Sequence, residues 1–65
     1  MFFLITDNKK TTWAYGDTAG TNPTLADICS YLMKSTHPDI FTIIFFTNTG
    51  IVRKVSLIDY TEEIK

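Results

Sequence analysis

Cysteine and histidine are the side chains that nucleophilic or metal chemistry would use first, and this 65-residue chain has one of each. Cys29 falls within an apolar helical stripe, whereas a reactive thiolate needs a basic and partly exposed setting. His37 follows about two helical turns later, which is too far for a direct hydrogen bond to that thiol. One cysteine and one histidine also cannot supply the four ligands of a structural zinc site. We therefore expect a buried thiol, no catalytic residues, and no metal or cofactor.

The acidic side chains and the loop at 16–22 offer no stronger chemistry. No two carboxylates form the closely spaced pair that acid–base catalysis or calcium binding would use. The loop precedes a helix N-terminus, where backbone N–H groups can hold an anion. It lacks the glycine spacing and the lysine of a phosphate-binding loop, and Asp17 would repel phosphate. The sequence therefore predicts a protein that is not an enzyme.

Apolar and aromatic side chains are what the chain does offer for recognition. Residues 40–46 read Ile-Phe-Thr-Ile-Ile-Phe-Phe, and the side chains of a strand point alternately to the two faces of its sheet. A single helix covers only one face, and monomers rarely leave a large contiguous apolar patch exposed. We take Phe41, Ile43 and Phe45 as the patch opposite the helix. Alternate residues of the first strand extend this patch, either Met1, Phe3 and Ile5 or Phe2 and Leu4, because the apolar pattern alone does not fix which phase the helix covers.

Two hairpins are predicted to present these residues. Residues 1–6 and 11–15 are β-prone and flank a polar turn, so they form the first hairpin. Residues 40–47 and 51–58 form the second, and Gly50 in the turn between them is expected to take a positive φ.

One helix is predicted between the hairpins. Its apolar stripe has the spacing i, i+3, i+4, i+7 and i+8, at Leu25, Ile28, Cys29, Leu32 and Met33. The helix begins after a cap at Asn22 or at Thr24, and Thr24 is preferred because Asp27 follows three residues later. The helix ends before Pro38. Residues 60–65 are predicted to be a frayed helical turn or a tail.

The fold class predicted for residues 1–65 is one α+β domain of order ββαββ, with a four-stranded, mostly antiparallel sheet and one helix on one face. The strand order 2-1-3-4 places the two most apolar strands in the centre. The order 2-1-4-3 resembles small β-grasp domains such as immunoglobulin-binding bacterial modules, a likeness of element order and length alone. Because a long apolar edge strand promotes aggregation, we prefer 2-1-3-4.

Charge and hydropathy narrow the classes of partner. The net charge is −1, from six basic and seven acidic side chains, which gives no electrostatic footprint for nucleic acid or an anionic membrane. The apolar start reaches Asp7 too early for a signal peptide, and no stretch approaches the length of a membrane span. We therefore expect a cytoplasmic protein.

Self-association through the apolar sheet face is the predicted function, because two-fold homodimers are the commonest assembly. The other partner-binding residues predicted are Trp13, Tyr15 and Arg53. From the base rate of such short chains alone, a role as a phage or mobile-element accessory protein that inhibits a host protein is also predicted. The alternative is a module that stacks single-stranded nucleic acid on the sheet aromatics. No small-molecule substrate is expected.

Overall fold

The computed structural model describes residues 1–19 and 24–64, which form two β-hairpins, each followed by a helix. The elements are β1 (Phe2–Thr6), β2 (Thr12–Asp17), α1 (Leu25–Leu32), a 3-10 turn (Pro38–Ile40), β3 (Thr42–Thr47), β4 (Gly50–Ser56) and α2 (Leu57–Glu63). The predicted α+β class is confirmed. The order ββαββ with one helix is wrong, because the residues after β4 form α2.

The four strands form one antiparallel sheet of order β2-β1-β3-β4. The preferred order 2-1-3-4 is therefore confirmed, and the β-grasp-like order is wrong. The two most apolar strands, β1 and β3, pair in the centre, where neighbours on both sides satisfy their backbone groups. Both outer strands carry a bulge, because Trp13 and Val52 have no partner in the register.

Both helices pack on the same face of the sheet, and this face contains the core. Its fully or nearly buried side chains are Phe3, Ile5, Leu25, Cys29, Leu32, Phe41, Ile43, Phe45 and Leu57. Small residues of β2 make room for the helices on this side, since Gly16 and Ala14 pair with Phe3 and Ile5. A Cβ added at Gly16 would lie 3.2 Å from the Phe3 ring, so the ring fills the space that glycine leaves.

The predicted exposure of Phe41, Ile43 and Phe45 is wrong. Their side chains are 4%, 0% and 7% exposed and lie between the sheet and the helices. The cause is the phase of the strands, because the register places Ile43 and Phe45 beside Ile5 and Phe3 on the face that α1 and α2 cover. The outward phase of the central strands instead carries Phe2, Leu4, Ile44 and Phe46.

Helix α2 replaces most of the predicted tail. The Ser56 side chain accepts a hydrogen bond from the Asp59 N–H at 3.2 Å, which caps the helix and ends β4 two residues earlier than predicted. Leu57 is fully buried, and the Tyr60 ring packs on Phe45 with the centroids 5.5 Å apart. This short helix therefore covers the part of the core that α1 does not reach.

Local predictions for the turns and the first helix cap are confirmed where the structure describes them. Thr24 caps α1 by accepting a hydrogen bond from the Asp27 N–H at 3.3 Å. The alternative cap, Asn22, lies outside the described residues. Gly50 has a φ of +133° at the start of β4. In the described parts of the chain, no helix has the length and apolar character needed to cross a membrane.

Candidate functional site

The sheet face opposite the two helices, here called the outer face, presents three cross-strand rows in the order β2, β1, β3, β4. The first row is Asp17, Phe2, Phe46 and Ile51; the second is Tyr15, Leu4, Ile44 and Lys54; the third is Thr12, Thr6, Thr42 and Ser56. Six of the eight positions in the first two rows are therefore apolar or aromatic, and the third row carries only hydroxyl side chains. The outer face has an apolar part with a polar border.

Three rings form a contiguous cluster within this apolar part. The centroid of Phe2 lies 5.8 Å from that of Phe46 and 6.4 Å from that of Tyr15, to which it is nearly parallel. Tyr15 and Phe46 complete the triangle at 5.9 Å. Tyr15 is 64% exposed and Ile51, in the same pair of rows, is 60% exposed. Water therefore contacts an aromatic surface that no helix of the described chain covers.

The charges of the outer face stand at its two outer strands. Asp17 is on β2 in the first row, and Lys54 is on β4 in the second row. The centre of the face, formed by β1 and β3, has no charged side chain in any of its rows. Depletion of charge at the centre with polar groups at the rim is typical of protein interfaces.

Arg53, a predicted partner-binding residue, contacts α2 instead of an outside molecule. Its guanidinium donates to both carboxylate oxygens of Glu63, at 2.8 and 2.6 Å. Both side chains are about half exposed, so the pair contributes little to stability but fixes the side chain against the last turn of α2. Arg53 also shares a register position with Phe45, which places it on the helix-covered face rather than on the outer face.

Trp13 and Tyr15, the other two predicted residues, both lie on the outer strand β2 but serve different surfaces. Tyr15 belongs to the aromatic cluster of the outer face. Trp13, at the bulge, packs edge-on against Phe41 with the ring centroids 5.8 Å apart. The structure therefore does not gather the six predicted residues into one site: three are in the core, two are on β2 and one pairs with α2.

Asp7 holds both the first turn and the Trp13 side chain. The Trp13 indole N–H donates to one carboxylate oxygen at 2.9 Å. The other oxygen accepts the backbone N–H groups of Lys9 and Thr11, each at 2.9 Å. The indole hydrogen bond, followed by those of Thr11 and Lys9, lowers the pKa of Asp7 below its ordinary value of 3.8. Lys10 closes this turn with a φ of +64°.

Acidification should release Trp13. Because the folded-state pKa of Asp7 is lowered, the stabilisation by its charged form is present above the unfolded-state value and is lost as the pH falls through the folded-state value. We therefore expect the Trp13 emission and the melting temperature to change below about pH 4. The matched control is Asp7→Asn, which keeps an acceptor without the charge. Identical pH profiles for the two proteins would contradict the assignment.

Cys29 and His37 form no site in this fold. The thiol is fully buried in the core, and burial raises its pKa to about 11, so it is protonated at neutral pH and acts as a small apolar side chain. His37 lies exposed before the 3-10 turn. Within residues 1–19 and 24–64, no group of three or more His, Cys, Asp and Glu side chains is arranged to hold a metal ion.

No protein-family model, curated protein or solved structure matches this chain. The functional assignment therefore depends on the geometry of the chain itself.

The sequence interpretation left Phe2 and Leu4 as one of two possible phases of β1, and it missed Ile44, Phe46 and Ile51 as outer-face residues. A signal for them exists in β2, whose residues alternate in size. Ala14 and Gly16 are small and leave room for a helix, whereas Tyr15 between them is large. Propagating that alternation through the register assigns the even-numbered residues of β1 and β3 to the outer face.

Proposed function

We propose that this protein is a non-catalytic interaction protein that forms a homodimer by packing two outer faces against each other. The observation that carries the proposal is the continuous apolar surface of the first two rows, with the Phe2–Tyr15–Phe46 cluster at one end. An antiparallel sheet with one solvated face normally alternates apolar and polar residues, and β1 and β3 do not. A second sheet packed about 10 Å away would bury this surface as the core of a sandwich.

The size of the surface suits a second copy. A standard interface buries about 800 Å² per partner, which is less than a fifth of the 4515 Å² accessible surface of this chain. The first two rows provide the apolar centre of such an interface, and the row of hydroxyl groups provides its rim. Chains of this length have a marginal core of their own, and oligomerisation is a common way to add buried area.

The order of the apolar rows and the hydroxyl row along the strands favours one direction for the two-fold axis. This axis runs parallel to the strands, between the two facing sheets and midway between β1 and β3. This axis places each row on the same row of the other subunit, so that Phe2 faces the partner's Phe46. It also places β4 over the partner's β2, which brings Lys54 beside the partner's Tyr15 and one row from the partner's Asp17. The Phe2–Phe46 and Lys54–Tyr15 contacts are favourable and each occurs twice. The same axis places Ile51 on the partner's Asp17 at the outer edge of the interface, which is the least favourable contact of this arrangement.

An axis perpendicular to the strands is less favourable. If it passes through the second row, the hydroxyl row faces the row of Phe2 and Phe46, and polar groups then bury apolar rings. Lys54 would also face the partner's Lys54, which is a like-charge contact in a partly desolvated interface. Apolar matching and charge therefore select the same direction for the axis.

Sedimentation velocity over a wide range of protein concentration tests the dimer. We expect a reversible monomer–dimer equilibrium, and a monomer at every concentration would overturn the proposal. The axis is tested by mild oxidation of single-cysteine additions. Leu4→Cys mixed with Ile44→Cys should give a covalent dimer, whereas Leu4→Cys alone should not. Cross-linking of Leu4→Cys alone would support the perpendicular axis. The natural Cys29 stays buried and protonated, so it does not interfere.

Two other roles from the sequence remain proposals with less support. Stacking of nucleic acid bases on Phe2, Tyr15 and Phe46 would need nearby cations for phosphate. The lysines at this face, Lys54 and Lys10, are offset by Asp17 and Asp7. Binding of a host protein would use the same apolar surface and would compete with dimerisation. Retention on heparin that is lost as salt rises would favour nucleic acid over both protein-binding roles.

A further inference from the structure

A second apolar surface lies on the helix side of the sheet, between the outer edge of β2 and α1. Two adjoining cavities of about 310 and 460 Å³ form it, and Trp13, Tyr31 and Leu32 line both of them. We call this surface the edge groove. Tyr31 is 76% exposed although it is aromatic and stands beside the groove. Neither the core nor the proposed dimer accounts for this exposure.

At alternate residues of β2 beside the groove, the backbone N–H and C=O groups point away from the sheet. The Thr18 N–H donates to the Met1 carbonyl at 3.0 Å, so these two residues form a hydrogen-bonded pair of the antiparallel ladder. Such pairs alternate with pairs that exchange no hydrogen bonds. Gly16 and Ala14 therefore face β1, and the N–H and C=O groups of Tyr15 and Asp17 face away from the sheet. No described strand pairs with this edge.

The two ends of the edge groove carry opposite charge. Asp27 lines the cavity beside Tyr15, and Lys34 lines the cavity on the other side of Trp13. Asp27 lies in the first turn of α1, and Lys34 lies two residues after the last residue of that helix. Because residues i and i+4 of an extended chain are about 14 Å apart, one short peptide can present a side chain to each of these two ends.

We propose that the edge groove binds an extended peptide that pairs with β2 as an additional antiparallel strand. Pairing satisfies the outward N–H and C=O groups of Tyr15 and Asp17, and alternate side chains of the peptide enter the groove. A peptide antiparallel to β2 runs from the Asp27 end to the Lys34 end. The favoured sequence therefore has a basic residue, then an apolar residue two positions later, then an acidic residue two positions after that.

The proposed dimer argues against a second copy as the occupant, and this step depends on the proposed function. Pairing β2 with the β2 of another copy requires a two-fold axis at the sheet edge, normal to the sheet. The dimer axis runs between β1 and β3 and does not meet it. Two-fold axes that do not intersect generate an open-ended fibre instead of a closed particle, and such edge-to-edge growth is what native sheets avoid. A peptide from a different protein closes the edge without this consequence.

Trp13 is the only tryptophan of the chain and lines the edge groove, so its emission reports binding directly. The probe is the peptide Lys-Thr-Leu-Thr-Glu with blocked ends, and the control is the reversed peptide Glu-Thr-Leu-Thr-Lys. We expect a saturable change in emission with the first peptide and about tenfold weaker binding of the second, because reversal opposes both charge contacts. Equal affinity, or no change in emission with either peptide, would overturn the proposal.

Strand addition itself is tested from both sides of the contact. Alternate backbone amides of the bound peptide face β2, and the others face away from it. N-methylation of the amides that face β2 should abolish binding, whereas N-methylation of the others should leave binding nearly unchanged. On the protein, Tyr15→Pro removes the outward N–H without removing a bond to β1, whereas Tyr15→Thr removes the same ring and keeps the N–H. Binding that is lost in both variants, or retained in both, contradicts strand addition.

The dimer proposal and the peptide proposal can be tested separately. Phe46 belongs to the outer face and lines neither cavity of the edge groove, so Phe46→Lys should bind the peptide with unchanged affinity. A change in Trp13 emission that follows protein concentration without any peptide, and persists in Phe46→Lys, would assign the edge groove to a second copy and overturn the peptide proposal. The dimer proposal is then decided by sedimentation alone.

Discussion

Replacement of Phe46 by lysine is expected to abolish the dimer at concentrations where the wild-type protein is fully associated. Phe46 lies at the centre of the first row and contacts both other rings of the aromatic cluster. In the proposed dimer the new ammonium group would lie against the partner's Phe2, and the partner's Asp17 on the neighbouring strand would offset only part of the cost of desolvating it. Loss of a central aromatic contact and desolvation of a charge together should weaken association at least about 100-fold.

Thr42→Lys is the matched control for this variant. It places the same side chain on the same strand and the same face, but in the hydroxyl row at the rim, where a rim charge changes affinity little. Sedimentation velocity and the circular dichroism spectrum of both variants separate dissociation from unfolding. A Phe46→Lys protein that stays dimeric, or a Thr42→Lys protein that dissociates equally, would show that the outer face is not the interface as proposed.

Replacement of Phe3 by alanine is expected to unfold much of the protein. Phe3 is among the largest fully buried side chains, and truncation of a buried phenylalanine costs about 3–5 kcal/mol. The total free energy of unfolding of a domain is about 5–15 kcal/mol, with small domains toward the lower end. The cavity cannot be filled from β2, because Gly16 beside the ring has no side chain. Chemical denaturation monitored by circular dichroism measures the loss.

Phe2→Ala is the neighbouring control and separates the two faces of the sheet. Phe2 lies on the outer face and is only partly buried, so we expect a loss of about 1 kcal/mol in the monomer. Phe2→Ala should reduce the affinity of dimerisation much more than it reduces the stability of the monomer. If Phe2→Ala destabilised the monomer as much as Phe3→Ala, the assignment of odd-numbered residues to the core would be wrong.

Much of this fold was predictable because its signals are local. The helical spacing from Leu25 to Leu32, the cap at Thr24 and the glycine at the β3–β4 turn each depend on a few adjacent residues. The strand order was predictable because β1 and β3 are too apolar to stand at an edge. The start of α2 was missed because the apolar alternation of β4 continues in the sequence through Leu57 and Ile58, although Ser56 and Asp59 form a helix cap.

The position of the candidate site was less predictable than the fold. Residues 40–46 are apolar in both phases, so the strand that suggested an interaction surface could not show which of its sides was free. The residues that determine which face the helices cover lie on β2, two strands from β3 in the sheet, where the small Gly16 and Ala14 permit the approach of a helix. The edge groove depends on where α1 packs beside β2, and no local pattern of residues in the sequence encodes that position.

The two helix caps show how the fold is divided into similar parts. Thr24-Leu25-Ala26-Asp27 and Ser56-Leu57-Ile58-Asp59 follow one pattern of hydroxyl, buried leucine, variable residue and aspartate. Each follows a hairpin, and the hairpins join through β1 and β3. The described chain is thus a tandem of two ββα units. A unit about half of this length is too small to fold alone, so closure of the β1–β3 seam is the step that creates a stable protein.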